Sequence, residues 1–167
     1  MEDKTICITG HRPNKLPWGL NEEDSRCIKF KQDLEKIIVE RIKLGYTHFI
    51  SGLALGVDTY FAEIILKLKN KYETITLEGA IPCENQTYKW SIKSTDKYNE
   101  IKNKCDKITL ISKNYTPYCM IQRNRYMVEN SSLVIAVYSG AKGGTHNTVT
   151  YAKQLNREII TINPSDY

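Results

Sequence analysis

Three short stretches of this sequence hold residues suited to gripping an anion. The first is Thr9-Gly10-His11-Arg12-Pro13, and the second is Ser51-Gly52-Leu53-Ala54-Leu55-Gly56-Val57-Asp58. The third runs from Gly140 to Thr145 and sets Gly143 and Gly144 directly before a threonine. Glycine has no Cβ to keep a ligand off the main chain, and it takes up positive φ without strain. The second and third stretches open into helical patterns. The free N–H groups and partial positive charge at a helix start suit a phosphate. Neither the dinucleotide fingerprint GxGxxG nor the P-loop GxxxxGK[ST] is present, which disfavours a standard dehydrogenase or NTPase.

A charged residue adds to these loops. In "MIQRNRYMVEN", Met120, Arg123 or Asn124, and Met127 fall on one helical face by their spacing of three and four. An arginine flanked by methionines is partly buried and wants an anion. That anion is either a ligand phosphate or a core carboxylate such as Asp58. In the ligand reading, Gly10, Gly52, Gly56, Gly143, Gly144 and Thr145 supply main-chain contacts. Arg12 and Arg123 neutralise phosphate, and Asp58 accepts from sugar hydroxyls or orients an arginine. His11 stacks or donates, or is incidental. Thr9, Ser51, Ala54, Asn124 and Thr148 complete the expected ligand-binding set. Trp90 or Tyr88 covers a base or packs on the surface, while Arg125 and Tyr126 face solvent or a partner.

The elements that must position these residues alternate along the chain. Strand patterns cover 4–9, 48–51, 75–82, 107–112, 133–138 and 158–163. They are short, rich in Ile, Val and Thr, and several are continuously apolar, as in parallel strands covered on both faces. Helical patterns run from about Glu22 to Leu44 with Asn21 as cap, from Gly56, from Thr95 to Lys104, from Thr116-Pro117 to Asn130, and from Thr145 to Asn156. Together they predict a doubly wound, three-layer α/β/α fold with a mainly parallel, Rossmann-like sheet, as a single domain over 1–167. In such sheets ligands bind beyond the carboxyl ends of the strands, where all three glycine stretches fall.

The composition narrows the classes further. A hydrophobic fraction of 41% and a charged fraction of 26% are ordinary for a globular chain. No apolar run approaches the ~20 residues that span a bilayer, and "MEDKTICITG" lacks the pattern of a signal peptide. With five cysteines and no CxxC pair, the expectation is reduced thiols in the cytoplasm. The three histidines lie far apart, so no metal site is expected. The net charge of +5 is spread over lysine-bearing helices, with no track of alternating aromatic and basic residues. Specific nucleic-acid binding is therefore not expected.

The motifs "TGHRPNKL", "SGLALGVDTYFAE" and "RNRYMVENSSLVIAVYSGAKGGTHNTVTYA" together resemble the YpsA-like family of bacterial proteins. That family sits within the SMF/DprA–LOG superfamily of Rossmann-like nucleotide binders, and the likeness runs from Thr9 to about Asn163. The resemblance implies a small nucleotide or nucleotide-derived ligand, such as an ADP-ribose-like molecule or NAD, held by a sensor or regulator. It also implies self-association into a homodimer or larger assembly. The LOG branch cleaves nucleoside 5'-monophosphates to base and ribose 5-phosphate, with an arginine and the glutamate of PGGxGTxxE. Here Arg123 matches the arginine and Gly144-Thr145 match the GT, but the glutamate position falls on Thr148. A threonine supplies no negative charge to an oxocarbenium-like transition state. Turnover is therefore left open, with Arg123 and Asp58 as the catalytic candidates.

Overall fold

The strand-forming runs pair into one sheet in the computed structural model, which describes residues 4–167. The first three residues of the expected domain lie outside the described residues. Six strands, β1 (Thr5–Gly10), β2 (His48–Ser51), β3 (Thr76–Ile81), β4 (Lys107–Leu110), β5 (Leu133–Val137) and β6 (Glu158–Ile162), alternate with five helices. The helices are α1 (Ser25–Lys43), α2 (Val57–Leu68), α3 (Ile92–Lys104), α4 (Cys119–Glu129) and α5 (Gly144–Gln154). The sheet is parallel throughout, in the order β4-β3-β2-β1-β5-β6.

Alternation along each strand divides the core between two faces. Ile6, Ile8, Leu133 and Ile135 pack with Phe30 of α1, Phe61 and Ile65 of α2, and Ile101 of α3. The intervening Cys7 and Val134 pack with Met127 and Val128 of α4 and Ala152 of α5. The fold is thus a Rossmann-like three-layer α/β/α sandwich, doubly wound about β1. After β4 the chain returns under the sheet through α4 to β5, on the far side of β1.

Three helix starts differ from the sequence expectation, α3 beginning at Ile92 behind a Ser91 cap rather than at Thr95. Asp24, not Asn21, caps α1, accepting a hydrogen bond from the Arg26 amide. Asn21 instead closes a preceding turn by accepting from the Glu23 amide. Pro117 does not open α4. Thr116 organises a turn there, its hydroxyl accepting from the Tyr118 amide, and the helix begins at Cys119. At α1 two capping residues stand close together and the turn takes the first.

One carboxylate sits inside this frame. Glu78, on β3, is 2% exposed. It accepts from the hydroxyls of Thr109 (2.8 Å) and Tyr126 (2.6 Å), and His48 Nε2 lies 2.7 Å from it. Tyr126, expected to face solvent, therefore ties α4 to the sheet. Burial favours the protonated acid, but the bonds from His48, Tyr126 and Thr109, with the charge of Lys107, outweigh it and bring the carboxyl to about 2. A depressed folded-state value stabilises the fold above the ordinary 4.5, and the stabilisation is lost as pH falls toward 2. Urea unfolding should accordingly show the wild type losing about 2 kcal/mol more than Glu78→Gln between about pH 6 and about pH 3. Equal losses would show that the carboxylate is not held in this way.

Candidate functional site

The strand order reverses at β1, with β2 to β4 on one side and β5 and β6 on the other. Open α/β sheets bind ligands in the crevice outside the carboxyl ends of their strands at such a point. A hollow of about 280 Å³ lies there. Thr9, Gly10, His11 and Arg12 reach it from the end of β1, and Ala54 and Asp58 from the approach to α2. Arg123 and Asn124 enter from α4, and Gly143, Gly144 and Thr145 from the start of α5. Asn14, Lys15, Met120 and Lys142 line it as well. Ser51, Gly52, Gly56 and Thr148 do not. Trp90 stands apart, edge-on to Tyr98 at 5.6 Å.

His11 fastens the loops around this hollow. Its amide donates to the Val137 carbonyl of β5 (3.1 Å), and its own carbonyl accepts from the amide of Val57, the first residue of α2 (3.4 Å). Its ring Nε2 accepts from the Ser139 amide (3.2 Å), which puts the ring proton of the neutral form on Nδ1. Burial, and then the charge of Lys15, hold its pKa below the ordinary histidine value. The neutral ring required by the bond to Ser139 is therefore also the favoured one.

The loop between β2 and α2 is braced from within. Ser51 Oγ donates to the Asp58 carbonyl (2.8 Å) and accepts from the Leu53 amide (3.1 Å). Leu53 sits at φ 54, a conformation that L-residues adopt only under constraint. Asp58 is 8% exposed, and its Oδ2 accepts from the Ala54 amide (3.4 Å). Burial pushes its carboxyl upward, against the opposing charges of Arg123 and Arg12.

Arg123 lies beneath the hollow at 4% exposure. Its Nη1 donates to the carbonyls of Gly52 (2.8 Å) and Ala80 (3.3 Å) and to Gln86 Oε1 (3.3 Å), and its Nε donates to Asn124 Oδ1 (2.9 Å). Asp58 is close enough to favour its charge but is not hydrogen-bonded to it. Burial lowers the pKa of the guanidinium, and Asp58 works against that shift. In place of the Asp58 salt bridge, carbonyl dipoles and amide oxygens are its main partners within the chain.

The glycines divide into two kinds. A Cβ on Gly52 would stand 2.5 Å from Arg123 Nη1 and 2.8 Å from Asp58 Oδ2, so this glycine makes room for a side chain of the protein itself. Gly10 is filled in the same way by Val57. Gly144 has nothing within 4 Å, and Gly143, at φ +151, meets only Lys15 Nζ. Among the glycines that line the hollow, the open ones are thus those at the start of α5, whose first turn carries no side-chain cap. Exposed Arg12, Lys15 and Lys142 stand around it. Nothing in the sequence pattern marks Lys15 or Lys142 as site residues. Among the described residues, no three His, Cys, Asp or Glu side chains gather as metal ligands.

A Rossmann-like sheet with a cationic hollow at its topological switch point defines the class. The chain belongs to the YspA SLOG family, whose model matches residues 6–166. It is similar to the uncharacterized SPbeta prophage-derived protein YoqJ of Bacillus subtilis, at 31% identity over 82% of this chain and 89% of that protein. A UPF0398 protein of Halalkalibacterium halodurans is 29% identical over 85% of this chain and 76% of its own. Among solved structures, the single-stranded-DNA-binding DNA processing protein A from Helicobacter pylori shares the fold, with a TM-score of 0.58 at 18% identity. The match covers 94% of this chain and 64% of that one.

This neighbour corrects the expected partners. A small nucleotide-like molecule was expected and specific nucleic-acid binding was not, yet the protein sharing this fold binds single-stranded DNA. The physical reason is spatial. The basic residues are scattered in sequence, but folding brings Arg12, Lys15 and Lys142 around one hollow. No helix among the described residues is long and apolar enough to cross a membrane.

The two kinds of glycine should respond differently to substitution. Gly52→Ala drives a methyl group into the tethered guanidinium and should destabilise the protein by roughly 2 kcal/mol in urea unfolding. Gly144→Ala should change stability by less than about 0.5 kcal/mol. Equal, small effects would show that the Arg123 site yields freely.

Proposed function

We propose that this protein binds single-stranded DNA and seats a backbone phosphate in the hollow at the switch point. The observation that carries this reading is the gathering of Arg12, Lys15 and Lys142 around the uncapped first turn of α5. Main-chain N–H groups at that turn face the space left by Gly143 and Gly144, and the three cations supply screened attraction from the rim. The likeness of fold to the single-stranded-DNA-binding protein of Helicobacter pylori supports the same class of ligand. Thr9, Thr145 and Asn124 offer hydrogen-bonding groups beside the phosphate, and Asp58 offers an acceptor for a base N–H.

Binding without turnover is the better-supported form of the reading. Thr148, at the position of the hydrolase carboxylate, turns its hydroxyl to the Gly144 carbonyl (2.9 Å) and does not line the hollow. Among the described residues Asp58 is the one carboxylate in the lining, and burial favours its neutral form.

Fluorescence anisotropy with a labelled oligonucleotide over a series of salt concentrations tests the proposal. Affinity should fall steeply with salt, by roughly 0.7 in log–log slope for each phosphate contact. Lys15→Ala and Lys142→Ala should each weaken binding and reduce that slope by about one contact. A wild-type protein that fails to bind at low ionic strength, or slopes that both variants leave unchanged, would refute it.

A further inference from the structure

Three tyrosines stand out from the molecule at the carboxyl end of the sheet: Tyr88 (72% exposed), Tyr115 (64%) and Tyr118 (67%). Tyr88 lies on the loop after β3, and the other two lie on the loop after β4. A single exposed tyrosine is unexceptional, but these occupy adjoining loops bonded to one another. The Glu84 amide donates to the Lys113 carbonyl (3.3 Å), and the Ser112 amide donates to that of Pro82 (3.1 Å).

The two loops are also tied to the hollow. Gln86, two residues before Tyr88, accepts from Arg123 and donates to the Gly52 carbonyl (3.3 Å). Tyr118 immediately precedes α4, whose Met120, Arg123 and Asn124 line the hollow. The rim carries further positive charge, with Lys89 Nζ 5.5 Å from the Tyr88 ring and Lys113 exposed between the loops. β3 and β4 lie two and three strands from β1, so the strand ends that carry these loops stand about 10 to 15 Å from that of β1. A strand anchored by one phosphate covers that distance with its neighbouring nucleotides.

We propose that Tyr88, Tyr115 and Tyr118 form a stacking platform for the bases of the same single strand whose phosphate the hollow holds. This rests on the DNA-binding reading above. Bases stack on aromatic faces with little regard to sequence, while neighbouring cations track the backbone. The sequence shows no interleaved aromatic and basic track because the tyrosines and the cations of the hollow come from four separate loops.

Anisotropy with a mixed-sequence strand and an abasic strand of the same length separates the two proposals. Tyr115→Ala/Tyr118→Ala should bind the base-bearing strand roughly tenfold more weakly, with the salt slope unchanged. It should bind the abasic strand as the wild type does. Tyr115→Phe/Tyr118→Phe should retain the wild-type affinity, since stacking needs the ring and not the hydroxyl. All these side chains are exposed, and circular dichroism should confirm an unaltered fold. Wild type and alanine variant binding the base-bearing strand equally would overturn the platform while leaving the phosphate site standing. A wild type that binds neither strand would end both.

Discussion

The guanidinium of Arg123 is the point on which the arrangement of this protein turns. A buried cation without hydrogen-bonded partners would carry a penalty of several kcal/mol. Here the carbonyls of Gly52 and Ala80 and the side-chain oxygens of Gln86 and Asn124 take up the donors of its Nη1 and Nε, and Nη2 meets the Met120 sulfur. Gly52 follows β2 and Ala80 lies near the end of β3, so one side chain reads the ends of two neighbouring strands. It does so from α4, the helix that carries the chain back under the sheet to start its second half. The rotation and height of α4 are fixed by this contact at one end and by the Tyr126–Glu78 bond lower down. Met120 and Asn124 come to the hollow because α4 is held there.

Charge is organised by topology rather than by sequence. Arg12 and Lys15 follow β1, and Lys142 follows β5, far away in the chain. These strands are neighbours in the sheet because the order reverses at β1. His11 then locks their two loops together through main chain and ring. The result is a cationic concavity beside an uncapped helix start, which suits a phosphodiester and is invisible in the net charge.

Much of the fold could be read from the sequence, because strands buried on both faces announce themselves as apolar Ile- and Val-rich runs. The ranges of β2, β3 and β5 differ from expectation by at most a residue or so at each end. Helix starts were harder, since Asn21 and Asp24 are both competent caps and only the turn geometry decides between them. The three glycine stretches were correctly seen to share one end of the sheet. Their individual tasks were not, since the atom that fills the space at Gly52 belongs to a residue 71 positions away. Lys15 and Lys142 look like any solvated lysine until the loops close around them. Glu78 was overlooked for a related reason, its partners being drawn from β2, β4 and α4.

The interlock between Gly52 and Arg123 also constrains how such a sequence can drift. Any side chain arriving at position 52 meets an occupied space, whereas a shorter residue at position 123 first would vacate it. Divergence at the pair is therefore coupled. A lineage accommodates a bulkier residue at 52 with least strain once the arginine has been surrendered.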